Sequence, residues 1–248
     1  MIKILKTFII VFFFFTQNSF SEINKTDLIK VSWPFDGFFG KFDKASLQRG
    51  FQVYKEVCAS CHSMRHLSYR NLGEKGGPEF SKEEVKAIAS QFEVQDGPNQ
   101  EGEMFTRAAL PSDKFVKPYP NSNAARAANG GAYPPDMSVL VKARKGGSNY
   151  VYSVLMGYTD EIPSNITLEE GVYYNKYMIG NKIRMPKPIN DGSVEYTDGT
   201  TASEEQISKD VVAFLTWAAE PHLEARKRTG FNAIIYLFIL KIIVFKSL

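Results

Sequence analysis

The sequence predicts a mainly α-helical fold: a helical core threaded by long ordered loops, with one further helix at the C-terminus able to span a membrane. Three observations predict it. Residues 43–61 and 203–219 place apolar side chains at helical spacing. Between Gly73 and Asp198 glycine and proline recur, which implies ordered loops and few strands. Residues 231–245 read FNAIIYLFILKIIVF, almost wholly apolar.

The N-terminus comes first. Residues 1–21 read MIKILKTFIIVFFFFTQNSFS: lysines at 3 and 6, an apolar run over 8–15, then polar residues. Ser19 and Ser21 supply small residues at the spacing a signal peptidase needs, so residues 1–21 are expected to be a cleaved secretory leader. The apolar run is too short to cross a bilayer. An exported domain is then expected over residues 22–228, and a membrane anchor over 229–248.

In the first helix, Leu47, Phe51, Tyr54 and Cys58 recur at i, i+4, i+7 and i+11, and Asp43 is placed to cap it. Ser203 with Gln206 reads as a capping box opening the second helix. There Ile207, Val211, Phe214, Leu215 and Ala218 form one apolar face, and Pro221 is placed to kink or break it. Packing these two helices together would build the core.

The last element is the anchor. At ~1.5 Å per residue, 230–248 spans roughly 28 Å, just enough for a hydrocarbon layer of ~30 Å. Lys241 lies near its far end, where its stem can snorkel outward. Arg226, Lys227 and Arg228 precede the span, and short-loop charge bias would put them inside the cell. A cleaved leader instead commits the large domain to export, leaving the C-terminus in the cytoplasm.

Charge is unevenly distributed. Two of the 30 basic residues lie in the leader and five in 226–248, leaving 23 against all 27 acids: a net of −4 for residues 22–225. A mildly acidic exported domain suits a basic partner and argues against nucleic acid. Residues 74–103 hold eight acids and three lysines. Most of that stretch reads as solvated surface; the alternative is a docking face for a basic partner protein.

The chemistry sits in Cys58-Ala59-Ser60-Cys61-His62. The chain has two cysteines, three positions apart, which excludes a disulfide framework. C-x-x-C-H is the signature of covalent haem attachment. Two thiols about one helical turn apart can reach two vinyl groups on one edge of the macrocycle, and the adjacent histidine then projects to the iron. A structural zinc site would need four ligands, and only His66 or His222 remains among the histidines. A thioredoxin-like dithiol would need a βαβ setting that the pattern lacks.

An opposing axial ligand must come from elsewhere, or the site stays open. Met64 is too close to His62, leaving Met104, Met137, Met156, Met178 and Met185. Met185 leads, because Met185-Pro186-Lys187-Pro188 is a stiff, donor-poor loop suited to presenting a thioether. The other four stay open on chemistry alone.

From about residue 43 to 230 the chain resembles the cytochrome c1 family, the haem subunit of quinol–cytochrome c reductase. The matching stretches are RGFQVY at 49–54, VQDGPN at 94–99, AARAANGGA at 124–132, PPDMS at 134–138, VKARKGG at 141–147, FLTWAAEP at 214–221 and RKR at 226–228. The helix pair then looks like the core of class I c-type cytochromes. The resemblance implies Cys58 and Cys61 as thioether attachments of one haem c, with His62 and Met185 as axial ligands. It places Arg144 and Tyr150 at a haem propionate, and Asn129 and Pro135 along the pocket.

It further implies an electron relay that is no enzyme alone, inside a dimeric membrane complex. Cytochrome b and a Rieske iron–sulfur protein would be partners, and a c-type cytochrome the acceptor. The haem domain would face the periplasm. A free-standing anchored cytochrome c serving an oxidase is the nearer alternative, and an exported thiol–disulfide oxidoreductase the more distant one. Three departures are visible: the family's Met-Ala-Pro-Pro loop reads Met-Pro-Lys-Pro, no cysteine remains for an extra disulfide over it, and the tail is short and carries Lys241.

Overall fold

The computed structural model describes residues 27–247, so the expected leader at 1–21 lies outside the described residues. Among the described residues, six α-helices and two two-stranded ribbons are connected by long loops. The mainly helical expectation holds.

Helix α1, Lys44–Val53, starts where its sequence says it should. Asp43 takes an extended conformation and its carboxylate accepts from the Ala45 N–H at 2.9 Å. Leu47, Phe51 and Tyr54 are buried from this helix onward.

Helix α2, Lys82–Ala89, opens with a reciprocal box between Ser81 and Glu84. A hairpin follows, β1 (Glu93–Asp96) antiparallel to β2 (Phe105–Ala108). In the acidic stretch, Glu74 and Glu79 accept from Asn71 and Gly76, Glu84 caps α2, and Asp96 pairs with Arg107. Half of its eight acids thus have local structural partners.

Helix α3 is Ser122–Ala128, and α4 is Gly147–Leu155. β3 (Tyr173–Tyr174) pairs with β4 (Lys182–Ile183) just before Met185.

Helix α5, Glu204–Ala219, is the centre of the domain. Ser203 accepts from the Gln206 N–H at 3.2 Å, but the Gln206 amide donates onward to Asp210 at 3.0 Å. The expected capping box is therefore only half closed, because a buried carboxylate outcompetes the cap. The predicted face is buried, and so are Val212, Ala213, Thr216 and Trp217. A helix covered all round is a core helix: α1 packs on one side and α4 on another, with Ser148 and Thr216 hydroxyls 2.9 Å apart.

The α1–α5 contact is unusually close. A Cβ on Gly50 would lie 2.1 Å from the Asp210 carbonyl oxygen, so only glycine lets the backbones meet. Beside it the wholly buried Asp210 carboxylate accepts from Arg49 Nε at 2.8 Å and Ser46 Oγ at 2.7 Å. Phe51, Tyr54, Phe115, Phe214 and Trp217 interlock around this crossing. Each such side chain, fully buried, contributes about 1.5–3 kcal/mol.

After Pro221 the chain restarts as α6, Leu223–Ser247. Its apolar window has mean hydropathy 1.7, and none of that window is buried. The helix begins six residues before the expected anchor boundary, so the basic triplet lies on it.

Candidate haem-attachment site

The helix carrying the motif does not continue unbroken to Cys61. After Val53 it widens into a π turn over Tyr54–Cys58, where the Ala59 N–H donates to the Tyr54 carbonyl at 2.8 Å. The extra residue rotates everything that follows, a device found most often at functional sites. The Cys58 carbonyl then accepts from Cys61 N at 3.1 Å and His62 N at 2.8 Å. Cys58, Cys61 and His62 are thereby fixed on one tight turn, with neither thiol in a disulfide.

His62 is buried, and its Nδ1 lies 2.8 Å from the carbonyl oxygen of Pro135. A carbonyl can only accept, so Nδ1 carries the hydrogen and the Nε2 lone pair is left for a metal. Burial lowers the His62 pKa, against the opposing influence of the Pro135 hydrogen bond and the Asp136 charge. The neutral imidazole that metal ligation requires is therefore favoured.

Residues 134–138 are laced to 63–66 to hold that carbonyl. Asp136 accepts from Ser63 Oγ at 2.7 Å, Arg65 N at 3.0 Å and Ser138 N at 3.0 Å. Met137 N donates to the Ser63 carbonyl at 2.8 Å, and His66 N to Ser138 Oγ at 3.0 Å. Burial pushes the Asp136 pKa up, but bonds from Ser138, Arg65 and Ser63 outweigh it and hold the carboxyl below its ordinary range.

Around Cys61, the Tyr119 hydroxyl lies 3.9 Å from Sγ and accepts from Asn129 Nδ2 at 3.1 Å. Asn129 caps α3 and also donates to the Ala125 carbonyl at 2.7 Å. A cleft of about 90 Å³ opens here, lined by Cys61, Ser63, Tyr119 and Pro134 among others. A wider cleft of about 540 Å³ beside Trp33 and Tyr152 shares no residue with the motif, and its Arg49 and Asp210 are paired to each other.

Met185 follows β4 on a tethered loop. Its carbonyl accepts from the Tyr158 hydroxyl at 3.0 Å, and Arg184 donates to the Gly130 carbonyl at 3.1 Å, tying this loop to the Asn129 turn. Its side chain is half-buried. Lys187, the charge that departs from the family pattern, pairs with Glu204 at 2.7 Å, so it is locally balanced. Of the other methionines, Met137 is in the core, Met104 is exposed on the hairpin, and Met178 Sδ accepts from Tyr150 OH at 3.4 Å.

Tyr150 is thus engaged with Met178 and half-buried. Arg144 is exposed and donates to the Ala143 carbonyl; among the described residues it meets no carboxylate. The structure directly joins Pro135 to His62 and, through Tyr119, Asn129 to Cys61. Among the described residues Arg144 contacts neither group; its guanidinium reaches only the Ala143 carbonyl. Three residues with a part in this architecture escaped sequence reasoning. Asp136 and Tyr119 stand next to prolines in short polar segments, which was the available signal; Tyr158 has none.

A model of the Cytochrome C1 family matches residues 33–247. The chain belongs to the cytochrome c1 family. It is 56% identical over 205 residues to the mitochondrial cytochrome c1-2 heme protein of Solanum tuberosum, covering 83% of this chain and 77% of that one. It is 44% identical over 228 residues to cytochrome c1 of Rhodospirillum rubrum, covering 86% and 83%. It is 50% identical over 225 residues to cytochrome b/c1 of Bradyrhizobium diazoefficiens, covering 84% of this chain. The chain spans 33% of that last relative's length.

The family's cofactor is a covalent haem c, and the residues fit it. Two unbridged thiols share one turn, and a buried histidine offers Nε2 while its Nδ1 is satisfied. The dithiol alternative fits worse. Burial, then the neighbouring Cys61, pushes the Cys58 thiol up to about 12, the opposite of a reactive C-x-x-C thiolate. No cluster of three or more His, Cys, Asp or Glu side chains occurs among the described residues to favour zinc.

Proposed function

We propose that this chain is the haem-bearing electron-transfer subunit of a membrane quinol–cytochrome c reductase. It would receive electrons from a Rieske iron–sulfur protein and pass them to a c-type cytochrome. The observation that carries the reading is the His62 Nδ1–H bond to the Pro135 carbonyl, set on the turn that bears both cysteines. Bound haem supplies a one-electron ferric/ferrous couple whose potential thioether ligation raises.

In this reading Cys58 and Cys61 would hold the haem covalently, and His62 and Met185 would be its iron ligands. The Pro135 carbonyl orients the imidazole and increases its basicity. Asn129 and Pro135 border the pocket, and Arg144 and Tyr150 serve the propionates. The exposed Arg144 guanidinium is suited to a bidentate carboxylate contact. A haem held by these residues would have no open position for oxygen or quinol, which suits a relay.

Cytochrome b is the partner beside which α6 spans the inner membrane, within a dimeric complex. The haem domain would face the periplasm and the C-terminus the cytoplasm. The test has two arms. A pyridine haemochrome spectrum on denatured full chain should show covalently retained haem, lost in Cys58→Ala/Cys61→Ala; a dithiol protein shows none. Native purification in mild detergent should bring b-type haem with it, and c-type absorption alone would sink the complex reading. Met185→Leu should keep the haem but lower the potential; an unchanged potential would move the axial role to another methionine.

A further inference from the structure

Three phenylalanines stand in the open where the domain meets α6. Phe38 is 48% exposed, Phe39 74% and Phe231 39%. Their ring centroids pair at 5.0, 5.8 and 5.6 Å, so they form one aromatic cluster. Phe231 opens the exposed apolar run that continues to Phe245.

The loop that carries Phe38 and Phe39 is fastened at both ends. Lys227 Nζ donates to the carbonyls of Phe35 at 2.7 Å and Gly40 at 3.2 Å, and Phe42 N donates to Glu224 at 3.0 Å. Asp36 N to the Trp33 carbonyl and Lys41 N to the Pro34 carbonyl, each 3.0 Å, close the turn. A Cβ on Gly40 would lie 1.9 Å from the Asp36 carbonyl oxygen, so the turn closes this tightly only on glycine. Behind it Phe35 is buried against Trp33 and Phe42. Glu224, Lys227 and Phe231 are spaced i, i+3 and i+7 on one helix face. The clamp therefore sets the loop's outward rings directly over Phe231.

We propose that Phe38, Phe39 and Phe231 form an aromatic foot that seats in the lipid interface beside α6. The proposal rests on α6 spanning the membrane. Lipid is the occupant because the cluster is continuous with the apolar run of that helix, and because exposed Lys41 and Arg228 flank it for headgroup phosphates. Phenylalanine rings, which lack a polar tip, enter the headgroup–acyl boundary as apolar anchors. A helix alone leaves the domain free to swing and rotate about its axis; a second contact, rigidly joined to the first, fixes its tilt and height.

The experiment uses the haem-loaded full chain in phosphatidylcholine vesicles doped with a phospholipid bearing a diazirine near the glycerol end of one acyl chain. After photolysis, peptides are quantified by mass spectrometry. Label on the Phe38–Phe39 peptide should exceed that on the peptide of exposed Ile179 about tenfold, and Phe38→Ser/Phe39→Ser should abolish it while α6 stays labelled. Label on α6 alone would overturn the foot and leave the span standing. Label on neither would overturn the span and the foot with it. Native membranes given the same probe should also label residues 37–41. Protection there, with α6 still labelled, would mean a protein covers this face and would overturn the lipid assignment.

Discussion

Replacing Asp136 by alanine tests the strap that aims His62. The carboxylate accepts three hydrogen bonds, from Ser63 Oγ, Arg65 N and Ser138 N. Bonds to a charged acceptor are worth about 1.5–3 kcal/mol each when water cannot replace them. Arg65 is exposed and its amide can rehydrate, whereas Ser138 is wholly buried and its N–H would be orphaned. One full loss and two partial ones give about 3 kcal/mol. For a domain of this size that is a fall in Tm of about 6–12 °C, read by circular dichroism on the haem-loaded chain in detergent.

The same residue gives a pH signature. Its native pKa is held below the ordinary carboxylate value, so the unfolded chain binds more protons between the two values and stability rises with pH there. The contribution is complete above about pH 4 and lost as pH falls through the native value. Wild type and Asp136→Asn should therefore differ at pH 7, and the gap should narrow as pH falls below the ordinary carboxylate range. Because the strap carries Pro135, the potential should shift in Asp136→Ala as the imidazole loses its fixed acceptor. A variant melting within about 2 °C of wild type, or a gap that does not narrow as pH falls below the ordinary carboxylate range, would refute the reasoning.

Gly50→Ala puts a Cβ 2.1 Å from the Asp210 carbonyl and 2.7 Å from Phe214 Cβ, so α1 and α5 must separate. A loss of about 3 kcal/mol is expected, and thermal unfolding with an unchanged midpoint would contradict it. Asp210→Leu leaves Arg49 with only its more exposed partner Asp198, at 2.8 Å, beside a buried apolar side chain, at a cost of about 3 kcal/mol. Adding Arg49→Met should recover part of that, and a double variant no more stable than the single would contradict the pairing. Tyr158→Phe removes the bond to the Met185 carbonyl, for about 1 kcal/mol. Redox titration should show a shifted potential with haem retained, and an unshifted one would mean the tether does not reach the ligand.

The parts of the site legible in sequence are those whose residue types carry the chemistry. C-x-x-C-H names its cofactor by spacing, Asp43 and Ser203 announce helix starts by side chain, and the apolar tail of α6 announces itself by length. The parts that were illegible run through backbone groups. The acceptor of His62 is a carbonyl 73 positions away, and every residue has a carbonyl. The π turn at Tyr54–Cys58 is likewise a choice of backbone ladder that the apolar spacing does not distinguish from a plain helix. Burial of α5 all round depends on α4, whose approach only the tertiary fold supplies.

The basic triplet shows how the fold can change the meaning of a pattern that was read. In sequence, Arg226, Lys227 and Arg228 conflict with export of the domain, because such clusters favour the cytoplasmic side. In the folded chain Arg226 pairs with Glu220, and Lys227 is held between the carbonyls of Phe35 and Gly40. Two of the three charges therefore have work inside the domain, clamping it to the first turns of α6. Charge counted along the sequence is therefore not a measure of free charge beside the span, since the fold already engages two of the triplet's three side chains.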